Sequence, residues 1–266
     1  MIIGNTTFDE DKTYVCGILN VTPDSFSDGG KFNKLDAALY HAEEMIEEGA
    51  MLIDIGGESA RPGYTMISDD EEIEREVPVI EALKSRFDVP LSLDTYKSKV
   101  AKAGIESGID LINDIWGLKY DKAMAKVVAD SGLPICIMHN RDNTDYTDFM
   151  TDVVSDLKES VDMAITAGIE RDKLILDPGV GFAKNLEQNI IVMKELERLN
   201  CFKLPILLGT SRKSVIGLTL DLPKDERVEG TLVTTVLAVI KGCMFVRVHD
   251  VKENIRTIKM AEALFK

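Results

Sequence analysis

Polar side chains directly follow several short apolar runs of this sequence, which is an unusual place for them. Carboxylates, amides and one histidine occupy these positions, at Asn20, Asp94, Asn113, His139 and Asp177. Any one of them alone would be interpreted as the residue that caps the next helix. Asp94, Asn113 and Asp177 together offer hydrogen-bond acceptors and donors at several angles to one flat polar heterocycle, provided that the fold brings them to one place.

A polar loop covers residues 20–30 and follows the apolar run at 14–19. It contains two adjacent glycines, one proline, a lone aromatic residue, Phe26, and short oxygen-bearing side chains that include Thr22, Asp24, Ser25 and Asp28. Most such loops are solvated connections. A connection of this length without helix or strand is more often functional, so we expect a lid that closes Phe26 over a polar ligand.

Cationic and hydroxyl side chains near the C-terminus suggest anion binding. Arg247 and His249 are two residues apart in the last apolar run, so they should point the same way and form an anion clamp. His249 alone could instead be a structural histidine. Arg61, in the loop after the second apolar run, is a further candidate for anion binding. Ser214 lies near a predicted helix start, where its hydroxyl and backbone N–H groups could bind a carboxylate.

Composition limits the classes of protein that this chain can belong to. The 266 residues have a net charge of -15 and a pI near 4.7, which argues against a nucleic-acid binder. The four cysteines match neither a disulfide framework nor a metal-binding spacing. No signal peptide or membrane-spanning run is evident, so we expect a cytoplasmic protein without a membrane partner.

Short apolar runs alternate with amphipathic segments along the whole chain. The predicted strands cover 14–19, 51–55, 91–93, 111–112, 134–138, 174–176, 205–208 and 244–248. The predicted helices cover 34–48, 69–85, 98–107, 122–130, a segment ending near 167, 186–199, 230–241 and 252–264.

Eight such strand–helix units predict parallel strands in one domain over residues 1–266, an α/β (β/α)₈ TIM barrel. No Gly-x-Gly-x-x-Gly follows the first strand, which weakens the alternative of an open dinucleotide-binding sheet. Residues 1–13 are expected to add a short strand or hairpin at the N-terminal end of the barrel. Working residues of such barrels lie at the C-terminal ends of the strands, where the polar residues named above are predicted.

Four segments resemble the dihydropteroate synthase family: 20–30 within 18–32, 56–63, 177–182 and 209–214. The resemblance spans nearly the whole chain, with the motifs in the right order. It implies a transferase of folate biosynthesis and a target of sulfonamides. Such an enzyme joins 4-aminobenzoate to 6-hydroxymethyl-7,8-dihydropterin pyrophosphate by a loose, SN1-like displacement, and releases pyrophosphate and 7,8-dihydropteroate.

The resemblance also implies roles for individual residues in the pterin pocket. Hydrogen bonds to the pterin are expected from Asp94, Asn113, Asp177 and Lys213, beside Gly209. Apolar walls are expected from Ile115, Met138 and Phe182, each of which on sequence alone is at least as well explained by core packing. The residues expected to carry catalysis are Asn20, Asp94, Lys213 and Arg247.

The same resemblance implies two further subsites and a metal. The pyrophosphate is expected to bind Asn20, Arg61, Arg247 and His249, and the aminobenzoate Phe26, Pro62 and Ser214. Mg²⁺ would bridge the pyrophosphate oxygens, with Asn20 as its protein ligand. Ala60 stands where many relatives carry a hydroxyl residue, so no polar contact is predicted there.

The oligomeric state and the activity each have an alternative interpretation. The helix at 231–240 contains no charged residue, which predicts burial in a homodimer, unless neighbouring helices cover it. A pterin-binding, corrinoid-dependent methyltransferase would share the barrel and its Asp/Asn pocket, but would not need the 20–30 loop or the 211–214 segment. A catalytically silent pterin-binding protein is a third possibility that no residue favours.

Overall fold

A short hairpin opens the chain in the computed structural model, which describes residues 1–22, 31–58 and 66–266. Strand β1 (Ile2–Ile3) pairs antiparallel with β2 (Thr6–Thr7), with Ile2 opposite Thr7. The Phe8 N–H donates to the Met1 carbonyl at 2.8 Å, which extends the pairing by one bond. The predicted N-terminal hairpin is confirmed.

Eight parallel strands follow, and their order closes a ring. They are β3 (Tyr14–Asn20), β4 (Leu52–Gly56), β5 (Leu91–Asp94), β6 (Leu111–Asp114), β7 (Ile135–Met138), β8 (Leu174–Asp177), β9 (Leu207–Leu208) and β10 (Phe245–Val248). The order in the sheet is β8-β7-β6-β5-β4-β3-β10-β9. A parallel bridge between Leu176 and Ile206 joins β8 to the start of β9, so the sheet meets itself as in the predicted (β/α)₈ barrel.

Helices surround the strands, and the barrel alternation predicted from the sequence is confirmed. They are α1 (Lys31–Glu48), α2 (Asp69–Arg86), α3 (Ser98–Glu106), α4 (Met124–Ser131), α5 (Phe149–Ala167), α6 (Leu186–Lys194), α7 (Ser214–Leu220), α8 (Val228–Ile240) and α9 (Val251–Phe265). Among these helices of the described residues, none has both the length and the apolar composition needed to cross a bilayer.

The largest helical differences from the prediction lie in two regions, after residue 194 and between residues 214 and 220. The helix predicted to run to residue 199 ends at Lys194, and the chain continues as a 3₁₀ helix over Leu196–Phe202. Helix α7 begins at Ser214, where a helix start was predicted, but its 7 residues are too few for the apolar spacing to predict its extent. The start of α6 at Leu186 agrees with the prediction, and in the structure Asn185 and Gln188 form a reciprocal capping box there.

The N-terminal end of the barrel is closed by aromatic packing. The Phe8 ring lies 4.9 Å from the Tyr14 ring and 5.1 Å from the Phe245 ring, both in edge-on contact. Phe8 and Phe245 are almost fully buried, together with Leu52, Leu111 and Ile175 from the strands. This layer seals one end, so any ligand site inside the barrel must open at the other end.

Candidate active site

Of the polar residues predicted at the strand ends, Asp94, Asn113 and Asp177 meet at the C-terminal mouth and are called the ring residues, with Asp54, Arg247 and Lys213 described below. His139 is not among them, because its side chain bonds Asp156 and Lys184 instead. Asp94 ends β5 and is paired in register with Asn113 of β6. Asp177 ends β8 and is paired with Met138 of β7. Alternate residues of parallel strands point to the same face, so these side chains converge on the interior of the barrel.

Arg247 from β10 joins two carboxylates of this ring. Its Nε donates to Asp54 Oδ2 at 2.5 Å, and its Nη2 donates to Asp94 Oδ2 at 2.7 Å. Asn113 Nδ2 also donates to Asp54 Oδ2, at 3.2 Å. The result is one connected group of four side chains drawn from four strands.

Gly209 leaves the space around which the remaining ring residues gather. A Cβ built at this position would lie 3.6 Å from Asp177 Oδ2, 3.7 Å from Lys213 Nζ and 3.9 Å from Arg247 Cβ. A side chain here would enter the space between these three groups. The structure therefore brings Gly209, Lys213, Asp177 and Arg247 together, as the sequence predicted.

Burial sets the protonation behaviour of the carboxylates at the mouth. Burial raises the pKa of Asp94 to about 7, with Arg247 opposing the rise and Asp54 adding to it. Burial also raises the pKa of Asp177, and Lys213 and the Gly179 N–H oppose that rise.

The two cations respond differently to the same burial. Burial lowers the pKa of Lys213 to about 8, although Asp177 counteracts it. For Arg247, burial also disfavours the charge, but Asp54 and Asp94 outweigh it and hold the pKa above its usual range. Arg247 is thus a permanent cation, whereas Lys213 titrates close to neutral pH.

An apolar wall stands beside the ring. Ile115 and Met138 form one buried cluster with Tyr96, and Phe182 packs against it. Lys213 Nζ lies 4.8 Å from the centre of the Phe182 ring and donates to the Val180 carbonyl at 2.6 Å. All three predicted wall residues are therefore neighbours, and Tyr96 is a member that the sequence did not reveal.

His249 lies at the end of β10 in a setting that keeps its ring neutral. Its Nδ1 is 3.0 Å from Ser211 Oγ, which also accepts from the His249 N–H at 3.1 Å. Burial lowers the pKa of His249 to about 3, and Arg247 lowers it further. In the free protein the ring can offer a hydrogen bond to an anion but not a charge.

For the remaining predicted site residues the structure shows few contacts or does not describe the residue. Asn20 ends β3 opposite Gly56, and its side chain makes no hydrogen bond to any residue that the structure describes. Ser214 is exposed at the first position of α7. Phe26, Arg61 and Pro62 lie outside the described residues, as does Ala60.

Asp54 is the ring residue that sequence reasoning missed. It lies inside β4, two residues before the strand ends, and is 1% exposed. Its Oδ1 has no hydrogen-bond partner among the described residues. The available signal was a single charged residue inside an otherwise apolar strand, since such a residue is rarely buried without a partner.

A second buried ionic cluster lies next to the mouth and was also missed. Lys97 Nζ donates to Glu58 Oε2 at 2.8 Å, to Glu72 Oε2 at 2.6 Å and to the Ile67 carbonyl at 2.9 Å. Glu58 Oε2 also accepts from the Ile67 N–H at 2.8 Å, and Glu58 Oε1 accepts from the Tyr96 hydroxyl at 2.5 Å. This cluster joins residues 58 and 67 of the second loop to the apolar wall.

A cavity of about 530 Å³ opens beside the mouth without including the ring. Its lining comes from the segments after β6 and β7 and from α5, with Trp116, Tyr120, Asn140, Arg141 and Asp156 among its residues. The ring residues instead surround the space beside Gly209. Across the described residues, no group of three or more His, Cys, Asp or Glu side chains could hold a metal ion.

Comparison with known proteins gives the family of the chain. The family of pterin binding enzymes matches residues 16–249. A dihydropteroate synthase from Clostridium beijerinckii is 56% identical over 268 residues, which cover 100% of both chains. The chain belongs to the dihydropteroate synthase family.

Solved members of the dihydropteroate synthase family share the fold. The enzyme from Clostridium difficile, solved in the presence of pteroic acid, is 50% identical with a TM-score of 0.95, covering 97% of this chain and 99% of that one. The Yersinia pestis enzyme, solved with a sulfonamide drug complex, is 45% identical with a TM-score of 0.93, over 99% and 98% of the two chains.

Membership in the dihydropteroate synthase family confirms what the four motifs implied about activity. The chain is an enzyme of the transferase class. The relatives carry the dihydropteroate synthase name at high identity over full length, so nothing supports the alternative of a corrinoid-dependent methyltransferase.

Proposed function

We propose that the mouth of the barrel condenses 6-hydroxymethyl-7,8-dihydropterin pyrophosphate with 4-aminobenzoate, giving 7,8-dihydropteroate and pyrophosphate. The observation that carries the proposal is the convergence of Asp94, Asn113, Asp177 and Lys213 beside one apolar wall. A pterin combines a flat ring with an edge of alternating donors and acceptors, which matches an apolar wall beside carboxylate, amide and ammonium groups.

Asp177 is the proposed acceptor for two N–H groups of the pterin edge. Its Oδ1 accepts one hydrogen bond from the Gly179 N–H at 2.7 Å, which leaves Oδ2 and a second lone pair on Oδ1 for the ligand. Asn113 can both donate and accept beside it. Lys213 would donate to the pterin carbonyl, and Asp94 would accept from a remaining ring N–H.

The displacement itself needs positioning and charge stabilisation more than a covalent partner. An electron-rich pterin can spread the positive charge that develops as pyrophosphate leaves the methylene carbon, so a loose displacement by the arylamine is favoured. Arg247 uses Nε and Nη2 for carboxylates and keeps its other N–H groups for a phosphate oxygen. His249 would add a neutral hydrogen bond, with Arg61 and Asn20 completing the pyrophosphate subsite.

Mg²⁺ is the proposed metal, held mainly by the pyrophosphate itself. Mg²⁺ takes oxygen ligands and commonly binds through one or two protein groups plus substrate phosphates. The Asn20 side chain fits this donor set, because its amide oxygen is not engaged by any described residue. The bound ion would supply positive charge to the leaving group.

The remaining subsite and the assembly complete the proposal. Ser214, exposed beside Lys213, would bind the aminobenzoate carboxylate, with Phe26 and Pro62 covering its ring. A homodimer is proposed through α8 and the adjoining α7, because Leu218 and Val233 are 66% and 69% exposed and neighbouring helices therefore leave one face of α8 uncovered. Sedimentation should then give a mass near twice 29.4 kDa.

Pyrophosphate release tests the proposed reaction. Purified protein is mixed with the pterin pyrophosphate, 4-aminobenzoate and Mg²⁺, and pyrophosphate and dihydropteroate are measured together. We expect equal amounts of both products, and release that depends on all three additions. Binding of the pterin pyrophosphate without release would show a silent pterin-binding protein and overturn the proposal.

A further inference from the structure

A buried lysine lies beneath the turn that follows β8, outside the ring of the mouth. Lys184 is 9% exposed. Its Nζ donates to the carbonyl oxygens of Gly179 and Phe182, both at 3.0 Å, and lies 2.8 Å from His139 Nδ1. These three acceptors use all the N–H groups of an ammonium, and none of them is an anion. Burying a cation among neutral partners is costly, so packing alone does not account for a lysine here.

His139 connects this lysine to a second charged pair. Its Nδ1 faces the ammonium and must accept, which puts the ring proton on Nε2. His139 Nε2 therefore donates to Asp156 Oδ2 at 3.0 Å, and Asp156 Oδ2 also accepts from Arg141 Nε at 2.5 Å. Burial lowers the pKa of His139 to about 4, consistent with a neutral ring.

The turn held by Lys184 carries two residues of the proposed pterin pocket. Asp177 comes directly before the turn, and Phe182 lies within it. Gly179 has a φ of +70°, and a Cβ there would lie 1.9 Å from the His139 carbonyl oxygen, so the turn rests directly on the end of β7. The Gly179 N–H that binds Asp177 Oδ1 belongs to the residue whose carbonyl Lys184 holds.

Lys184, whose pKa burial lowers to about 7, also acts on Asp177 through the charge of its protonated form. Burial raises the pKa of Asp177, and Lys184 is one of the groups that oppose this rise, with Lys213 and the Gly179 N–H. The other charged groups that face Lys184 are Lys213, Asp156 and Arg141. Among the residues that the structure describes, only Lys184 combines a charge near Asp177 with direct bonds to both sides of the turn.

We infer that Lys184 is a positioning residue for pterin recognition, which locks the 179–182 turn against His139 and helps keep the Asp177 carboxylate ionised. It acts through Asp177 and Phe182 and needs no contact with the ligand. The inference rests on the proposed function of Asp177.

The test is Lys184→Met, which keeps the length of the side chain and removes its charge and donors. We expect KM for the pterin pyrophosphate to rise on the order of tenfold or more, the loss expected for a hydrogen bond from a charged donor. KM for 4-aminobenzoate should stay within about twofold. The acid limb of kcat/KM for the pterin should move to higher pH, because the remaining groups hold Asp177 ionised less well.

A matched control is Lys126→Met on α4, where the lysine side chain is 76% exposed. It should change neither KM nor the pH profile. If Lys184→Met instead raises both KM values equally and leaves the acid limb in place, Lys184 is only structural and the inference is overturned. Failure of the wild-type protein to release pyrophosphate would count against the proposed function, while pterin titration would still test Lys184.

Lys184→Arg separates charge from geometry and covers the case in which Lys184→Met does not fold. The guanidinium keeps the charge, but its planar fork cannot reproduce three bonds radiating from one nitrogen. We expect a raised KM for the pterin with the acid limb near its wild-type position. If Lys184→Arg leaves the pterin KM unchanged, Lys184 does not position the turn. If Lys184→Arg shifts the acid limb although the positive charge is kept, the charge of Lys184 does not keep Asp177 ionised.

Discussion

The two ends of the barrel are made from the same strands, yet one end is apolar and closed and the other is polar and open. The change occurs within two residues on four strands, from Leu52 to Asp54, Leu111 to Asn113, Ile175 to Asp177 and Phe245 to Arg247. Residues two apart on a strand point to the same side, so each pair contributes one side chain to each layer of the interior.

This difference separates stability from chemistry. The closed end buries aromatic and aliphatic side chains, including Phe8 between Tyr14 and Phe245, and apolar burial stabilises the fold. The open end buries four ring carboxylate and amide groups with two cations, at a cost in desolvation. Substitutions at the two ends should therefore have different signatures.

Arg247→Ala should have the largest effect, because it damages both stability and function. Asp54 and Asp94 would each lose a buried charged partner, which costs roughly 3–5 kcal/mol. Pyrophosphate affinity should fall far more than affinity for the bare pterin. Urea unfolding and ligand titration measure the two effects, and Arg247→Lys is the control that retains a positive charge. Equal losses for both ligands would mean that the anion subsite lies elsewhere.

Phe8→Ala should destabilise the protein without changing its activity. Removing a fully buried aromatic side chain costs roughly 3–5 kcal/mol, and here it opens a cavity between Tyr14 and Phe245. Urea unfolding should show this loss, while kcat and both KM values per folded molecule stay at wild-type levels. A changed KM would show that the closed end is coupled to the mouth, so that stability and chemistry are not separated between the two ends.

Asp177→Asn should have the reverse effect of Phe8→Ala: a loss of pterin affinity with little loss of stability. An amide cannot replace a carboxylate that accepts two N–H bonds, so pterin affinity should fall by roughly 10- to 100-fold, as for one or two hydrogen bonds to a charged group. The pKa of Asp177 is raised in the folded state, so its ionised form costs stability above the unfolded pKa. Thermal unfolding should therefore show little loss or a small gain. Near-normal affinity would remove Asp177 from the pocket.

A change of pH should have the smallest effect of the four tests, and it should act on pterin binding at the mouth and not on the closed end. The free enzyme needs Asp94 and Asp177 ionised to accept and Lys213 protonated to donate. Burial raises the pKa of both carboxyls, that of Asp94 to about 7, and lowers the pKa of Lys213 to about 8. The pterin kcat/KM should therefore rise through about pH 7 and fall above about pH 8. Lys213→Arg should move the alkaline limb to higher pH. An alkaline limb that stays in place would assign it to another group.

The local sequence pattern was sufficient to predict the barrel and most of the residues at its mouth. Strand–helix alternation predicted the ring of strands, and position at a strand end selected Asp94, Asn113 and Asp177 before any geometry was available. The start of α7 near Ser214 was predicted, but its extent was not, because two turns are too short to show a period. Asp54 was missed because its role depends on Arg247, 193 residues away along the chain.

The amino-acid sequence by itself determined which side chains face the interior of the barrel, because the alternation along each strand is a local property. Only the tertiary structure decided which of them pair. Arg247 reaches Asp54 and Asp94, and Lys184 reaches Gly179, Phe182 and His139, through contacts between strands and loops whose spacing along the chain has no periodic pattern. The energies of buried charges depend on those partners, so the protonation of the mouth could not be predicted before the fold was known.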